Sequence, residues 1–140
     1  MSMHHSAPGP SRCAANDPRG RGEADAIKVA YCFAVVHAGG HRLAFARQDE
    51  ALLGCINLAI NKARTARLFN KRTDALGCMA HPGAELYGIE ESNRGDVTLI
   101  GGGLPVLCDG AVIGAIGTSA GTVAQDVAIT KRDWPPLNPA

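Results

Sequence analysis

The chain has 140 residues, and 14 Lys and Arg against 13 Asp and Glu leave a formal net charge of +1. This charge is too small to drive binding to a polyanion, so a general nucleic-acid binder is excluded. Apolar residues make up 46% of the chain, with one Trp, two Tyr and three Phe. The composition therefore predicts one globular domain with a core of Ala, Val, Ile and Leu.

The sequence offers no segment suited to a membrane. Its longest stretch without Asp, Glu, Lys or Arg, residues 110–125, has 16 residues and four glycines, which is too short and too flexible to cross a bilayer. The first 22 residues are polar and contain prolines, unlike the apolar core of a secretory signal. We therefore expect a cytoplasmic protein with no membrane partner.

Composition along the chain divides it into three parts. Residues 1–24 lack periodic hydrophobicity and predict a loose arm, residues 25–132 predict a single domain, and residues 133–140 predict a tail. The five cysteines include no Cys-x-x-Cys pair, so we expect reduced thiols and no zinc site. Three of them are expected to be small core residues: Cys32, Cys55 and Cys108.

The domain begins with a predicted hairpin. The β-branched and aromatic run from Lys28 to Val36 predicts a strand. Gly39 and Gly40 supply the pair of positive-φ residues expected of a tight turn. Residues 41–47 return as a strand, with Leu43 and Phe45 expected on one face.

A long helix is predicted next, with Asp49 as its N-cap and Phe69 at its end. Its apolar residues recur at three- and four-residue steps and are small enough to let the helix lie close to a sheet. They are Leu52, Ile56, Ala59, Ile60, Ala63 and Ala66. Five cations near its end predict either a solvated helix face or an anion site: Lys62, Arg64, Arg67, Lys71 and Arg72.

The remaining pattern completes an α+β fold. A short helix is predicted from Thr73 to Met79, followed by a 16-residue loop, 81–96, of a length that is often functional. Strands are predicted at 97–100, 104–108 and 111–116, the last two joined by an Asp109-Gly110 turn, and a closing helix at about 122–130. The predicted order is ββααβββα, with five antiparallel strands and packed helices.

The residues that could carry chemistry are few. Glycines at 101–103 and 117–121 permit close approach of a ligand to the backbone, or else simply make bulges and turns. His81, at the start of the long loop, is the candidate iron ligand. His37 and His41 flank the first turn and could pair on a metal, and no hydrolase motif is present.

A set of motifs resembles the haem-degrading or glycolate-operon family of the GlcG/HbpS type. The resemblance covers residues 30–128 in order and with matching spacing. It rests on the runs at 36–49, 59–66 (AINKARTA), 86–90, 101–106 (GGGLPV), 110–117 and 125–126. The family's Lys-Ala-x-Thr-Ala motif falls on Lys62, Ala63, Thr65 and Ala66, and its Gly-Gly-Gly-x-Pro motif falls on Gly101 to Gly103 and Pro105.

The resemblance implies a profilin-like fold, homo-oligomers and members that bind or degrade haem or belong to catabolic operons. The family's opening helix is replaced here by the proline-bearing arm, which would leave an apolar face that favours at least a dimer. Three positions depart from the family pattern, which puts any catalysis in doubt: His37, Asn57 and Ala120.

The expected function is therefore binding or degradation of haem or a related tetrapyrrole. The expected ligand-binding residues are Lys62, Thr65, Arg67, Gly102, Gly103 and Ser119, with His81 as metal ligand. The alternative is a cofactor-free tautomerase- or lyase-like enzyme, or an accessory protein, of a small-carboxylate or aromatic catabolic pathway. In that enzyme Thr65 and Ser119 would orient the substrate.

Overall fold

A four-stranded antiparallel sheet lies against a long helix in the computed structural model, which describes residues 30–120 and 124–128. The strands are β1 (Cys32–His37), β2 (Arg42–Arg47), β3 (Gly103–Cys108) and β4 (Ala111–Ser119), in the order β2-β1-β4-β3. The helices are α1 (Gly54–Phe69) and α2 (Thr73–Cys78), and residues 124–128 are also helical. The predicted arm and tail lie outside the described residues.

The two hairpins are built from different turns. In the β1–β2 turn the Gly40 N–H donates to the His37 carbonyl at 2.8 Å. Gly40 has a positive φ of 83° but Gly39 does not, so the predicted pair of positive-φ glycines is wrong at Gly39. The β3–β4 turn has φ of 50° at Asp109 and 81° at Gly110, as the type I′ turn predicted from Asp-Gly requires.

Helix α1 begins five residues after the predicted cap, Asp49, and ends at Phe69 as predicted. Glu50 adopts a left-handed φ of 69°, and the Ala51 N–H donates to the Gln48 carbonyl. These residues therefore form a turn that cannot be continuous with a helix, so the Asp49 cap is wrong. At the other end Asn70 is left-handed, with φ 51° and ψ 41°, a conformation that Asn tolerates at a helix end.

The core between α1 and the sheet is made of small side chains, as predicted. Its buried members include Cys32, Ala34, Ala59, Ala63 and Ala115. A Cβ added at Gly117 would lie 2.3 Å from the Ala59 carbonyl oxygen. Helix and sheet therefore approach to backbone contact, which glycine permits because it has no side chain.

The prediction of a fifth strand is wrong within the described residues. Val97 is buried and the Thr98 N–H donates to the Thr65 Oγ1 at 3.0 Å. The segment 97–100 is thus attached to α1 through a side-chain hydrogen bond. Both edges of β4 are already paired, with β1 and with β3. The α+β class with an antiparallel sheet and packed helices is confirmed.

Strand β2 forms an edge of the sheet and is largely exposed. Phe45 packs partly against the core, but Leu43 is 65% exposed, and Leu52 and Leu53 before α1 are 67% and 73% exposed. Of the two residues predicted to share a face, Phe45 therefore contacts the core and Leu43 remains exposed. Among the described residues, none of the helices is long and apolar enough to pass through a membrane.

Candidate functional site

Lys62 lies at the centre of a buried polar cluster. It is only 1% exposed, and its Nζ donates to the Asp126 Oδ2 at 2.9 Å and to the Thr118 carbonyl at 3.0 Å. Asp126 is also held by the end of β4, since its Oδ1 accepts the Ala120 N–H and its carbonyl accepts the Thr118 hydroxyl. The ion pair thus joins α1, β4 and the segment 124–128.

The glycine-rich segment before β3 completes this cluster. A Cβ on Gly102 would lie 3.0 Å from the Lys62 Nζ and 2.6 Å from the Thr118 carbonyl oxygen. The Gly103 N–H donates to the Thr73 Oγ1 at 2.9 Å. These glycines therefore serve close packing and internal hydrogen bonding in the structure described here.

Four of the predicted ligand-binding residues thus belong to one closed region: Lys62, Gly102, Gly103 and Ser119. Ser119 is 3% exposed at the end of β4. Thr65 lies elsewhere on α1, where it is buried and its Oγ1 accepts the Thr98 N–H. None of the five is open to solvent in this conformation, so a ligand that reached them would first have to displace internal partners.

The sequence reasoning missed Asp126, Thr118 and Thr73 as partners in this cluster. A lysine that is buried against a sheet requires a buried partner such as a carboxylate. Nothing in the sequence shows which acidic residue supplies it. The sequence predicts Thr73 only as the start of a short helix, whereas in the structure its hydroxyl also accepts the Gly103 N–H.

The one hydrogen bond described for the His81 ring favours a proton on Nδ1 and a lone pair on Nε2. It is exposed after α2, and its Nδ1 lies 3.0 Å from the Pro82 carbonyl oxygen. A carbonyl can only accept, so Nδ1 carries the proton and Nε2 keeps its lone pair. Tyr87, in the same loop, is 66% exposed.

His37 has the opposite tautomer. Its Nδ1 accepts the Gly39 N–H at 2.7 Å, so in the neutral ring Nε2 carries the proton and has no lone pair to offer a metal. The His37 and His41 ring centroids are 5.3 Å apart. Within the described residues, no group of three or more His, Cys, Asp or Glu is placed to hold a metal ion.

The basic residues near the end of α1 differ in their hydrogen-bond and ion-pair partners. Besides the buried Lys62, Arg64 pairs with Asp96 at 3.6 Å. Arg72 pairs with Asp74, and the hydrogen bond from that pair raises the pKa of the Arg72 guanidinium. Arg67 donates from Nε to the Ala38 carbonyl at 2.6 Å and from Nη1 to the Asn70 side chain. It is the predicted ligand-binding cation that stays at the surface.

The cysteines that the structure describes differ in burial and in bonding. Cys32 and Cys55 are buried and free, and Cys108 is free and partly exposed. Burial, with a smaller effect of Cys55, raises the pKa of the Cys32 thiol. Cys78 is disulfide-bonded, so the expectation of reduced thiols is wrong for Cys78.

Residues 19–133 match the family described as "Haem degrading protein HbpS-like". The chain belongs to this family, which confirms the resemblance found in the sequence.

Two sequence relatives illustrate its range. The chain is 42% identical over 100 residues to an uncharacterised 15.0 kDa protein from the dhaT-dhaS intergenic region of Citrobacter freundii, covering 71% of this chain and 70% of that protein. It is 37% identical over 115 residues to the corrinoid adenosyltransferase PduO of Salmonella typhimurium. That alignment covers 82% of this chain but only 34% of the PduO sequence.

Solved structures show the same fold. The PduOC:heme complex superposes with a TM-score of 0.75 at 36% identity, covering 81% of this chain and 83% of that chain. The protein ORFY of Klebsiella pneumoniae superposes with a TM-score of 0.75 at 32% identity, covering 94% of both chains.

Proposed function

We propose that this protein binds haem or a closely related tetrapyrrole. The observation that carries the proposal is the likeness to the PduOC:heme complex, which extends over 81% of the chain at 36% identity. Membership of the HbpS-like family supports it, as does the relation to a corrinoid-processing enzyme. The names of these relatives refer to haem or to a corrinoid, which are both tetrapyrrole-related.

The residues of the long loop fit a haem group. The Nε2 lone pair of exposed His81 is free to bind iron, because its Nδ1–H is directed to the Pro82 carbonyl. When bound, haem supplies the iron and its redox chemistry. The chain supplies an imidazole on a turn that proline makes rigid, and the exposed ring of Tyr87 offers apolar contact from the same loop.

The residues predicted to bind a ligand carboxylate differ in how accessible they are to a ligand. Arg67 remains at the surface, and its Nη2 has no described protein partner. Lys62 is enclosed with Asp126, and the Gly103 N–H is already donated to Thr73. We therefore propose Arg67 as the cation that binds a ligand carboxylate. The buried Lys62 cluster would then stabilise the fold without contacting the ligand.

The alternative of a cofactor-free enzyme needs substrate contact at Thr65 and Ser119. Both side chains are buried, and the Thr65 hydroxyl is engaged by Thr98. No described contact favours this reaction class, so the proposal here is haem binding. The profilin-like name of the fold, the cytoplasmic location and self-association stay predictions, the last supported by the exposed Leu43, Leu52 and Leu53.

A titration with haemin tests the proposed function. We expect a saturable shift of the Soret band, with half-saturation below about 100 μM, equivalent to a binding free energy of roughly −5.5 kcal/mol. Serum albumin serves as a positive control, and the protein unfolded in guanidinium as a negative control. A Soret band that changes only in proportion to added haemin, up to that concentration, would contradict the proposal.

A further inference from the structure

Two arginines of α1 are fixed against the β1–β2 turn through their Nε atoms. Arg67 Nε donates to the Ala38 carbonyl at 2.6 Å, and Arg64 Nε donates to the Gly40 carbonyl at 3.3 Å. The two arginines are three residues apart and therefore lie on the same side of the helix. Because each Nε is bound to the turn, the terminal Nη groups carry the donors that remain for a ligand.

The charge at this turn is only partly compensated. Arg64 Nη1 lies 3.6 Å from Asp96, whose side chain is 47% exposed. In the part of the chain that the structure describes, Arg67 forms no ion pair, and its Nη1 donates to the neutral Asn70 amide. The Arg67 guanidinium therefore has no carboxylate partner among the described residues, and its Nη2 group has no described partner.

His37 adds a further donor beside the turn. The Gly39 N–H occupies its Nδ1 at 2.7 Å, so in the neutral ring Nε2–H is the donor that remains for a ligand. The ring lies directly over Gly39, where a Cβ would be 2.7 Å from the His37 Cε1. Glycine at this position thus allows the ring to stay in place. The ligand that matches these groups is a hydrogen-bond acceptor with negative charge.

We propose that the β1–β2 turn is an oxyanion site in which Arg67, Arg64 and His37 bind one phosphate or carboxylate group. Planar guanidinium groups bind such oxyanions with two parallel hydrogen bonds, and they are most effective when their orientation is already fixed. The site uses no iron and does not involve His81, but it shares Arg67 with the proposed haem function, whose carboxylate cation it extends to a site of three residues. A free anion and the carboxylate of a larger ligand share this chemistry.

Calorimetric titration with inorganic phosphate and with succinate tests the site in the absence of haemin. We expect saturable binding that weakens about tenfold in Arg67→Gln, because a charge-assisted hydrogen bond is lost. Lys71→Gln is the matched control, since it removes one charge from an exposed residue just beyond the helix. We expect the affinity of this control to change less than about twofold.

Thermal unfolding of each variant separates loss of binding from loss of structure. Both arginine variants remove a hydrogen bond to the turn, but Arg64→Gln also removes the ion pair with Asp96, so Arg67→Gln is the deciding variant. If Arg67→Gln and Lys71→Gln lowered the anion affinity equally, binding would depend on overall charge and the proposal would be overturned. The absence of saturable binding for both anions would overturn it as well. Competition between haemin and phosphate would identify the carboxylate of the tetrapyrrole as the oxyanion, and independent binding would identify a free anion.

Discussion

Replacing Gly117 by alanine is expected to destabilise the protein by about 3 kcal/mol, at the upper end of the cost of overpacking a core. The added Cβ would lie 2.3 Å from the Ala59 carbonyl oxygen and 2.6 Å from the Ala63 nitrogen. Both contacts are to the backbone of α1, so a side-chain rotation cannot relieve them. Helix and sheet would have to separate, and the small-residue core between them would lose its contacts.

Urea unfolding of Gly117→Ala and Gly54→Ala gives a matched comparison. No atom comes within 4 Å of a Cβ added at Gly54, and its φ is not positive. Alanine is the better helix former, so we expect Gly54→Ala to be neutral or stabilising by up to about 1 kcal/mol. If the two variants had the same free energy of unfolding, the close approach of α1 to β4 would be wrong.

Replacing Lys62 by methionine is expected to cost about 3–5 kcal/mol of unfolding free energy, because it leaves a buried carboxylate without its cation. The Lys62 and Asp126 side chains are 1% and 4% exposed and 2.9 Å apart. Methionine fills a similar volume, so the effect is mainly electrostatic. The exposed Lys71→Met serves as the control, with an expected change within about 0.5 kcal/mol.

A double-mutant cycle measures the interaction energy between Lys62 and Asp126. Adding Asp126→Asn to Lys62→Met removes the orphaned charge, so the double variant should be more stable than the two single costs added together predict. Additive costs would mean that Lys62 and Asp126 do not interact in solution. That result would leave the link between α1 and the segment 124–128 without support.

Local sequence patterns predicted the parts of the fold that depend on short-range chemistry. Asp109 and Gly110 predicted their turn because both residues tolerate positive φ, and the small residues of α1 predicted its packing. The prediction of Asp49 as N-cap was wrong because its side chain suits a cap, but the next residue, Glu50, has a left-handed φ that a helix cannot contain. The segment from Val97 to Ile100 was predicted wrongly because strand propensity does not show that the Thr98 N–H binds the Thr65 hydroxyl on α1 instead of a neighbouring strand.

The candidate site was harder to predict than the fold. Glycines at 102, 103 and 117 have the composition of a ligand loop. In the structure Gly103 and Gly117 lie against the backbone of α1 and Gly102 lies against the Lys62 side chain, and no sequence window contains these distances. Lys62 looked like a surface cation because it lies among Arg64 and Arg67. The partner that makes its burial possible, Asp126, is 64 residues away. Long-range ion pairs of this kind leave no local signal.

The spectrum of the His81→Ala variant tests most directly how this protein would hold haem. The imidazole has its Nε2 lone pair available, and its removal should shift the ferric Soret band and weaken haemin binding by about tenfold or more, a loss of at least roughly 1.4 kcal/mol. His41→Ala is the matched control, since it removes another exposed imidazole from the first turn. Its spectrum should match that of the unmodified protein. An unchanged Soret position and affinity in His81→Ala would contradict the account, because iron would then be held elsewhere or not at all.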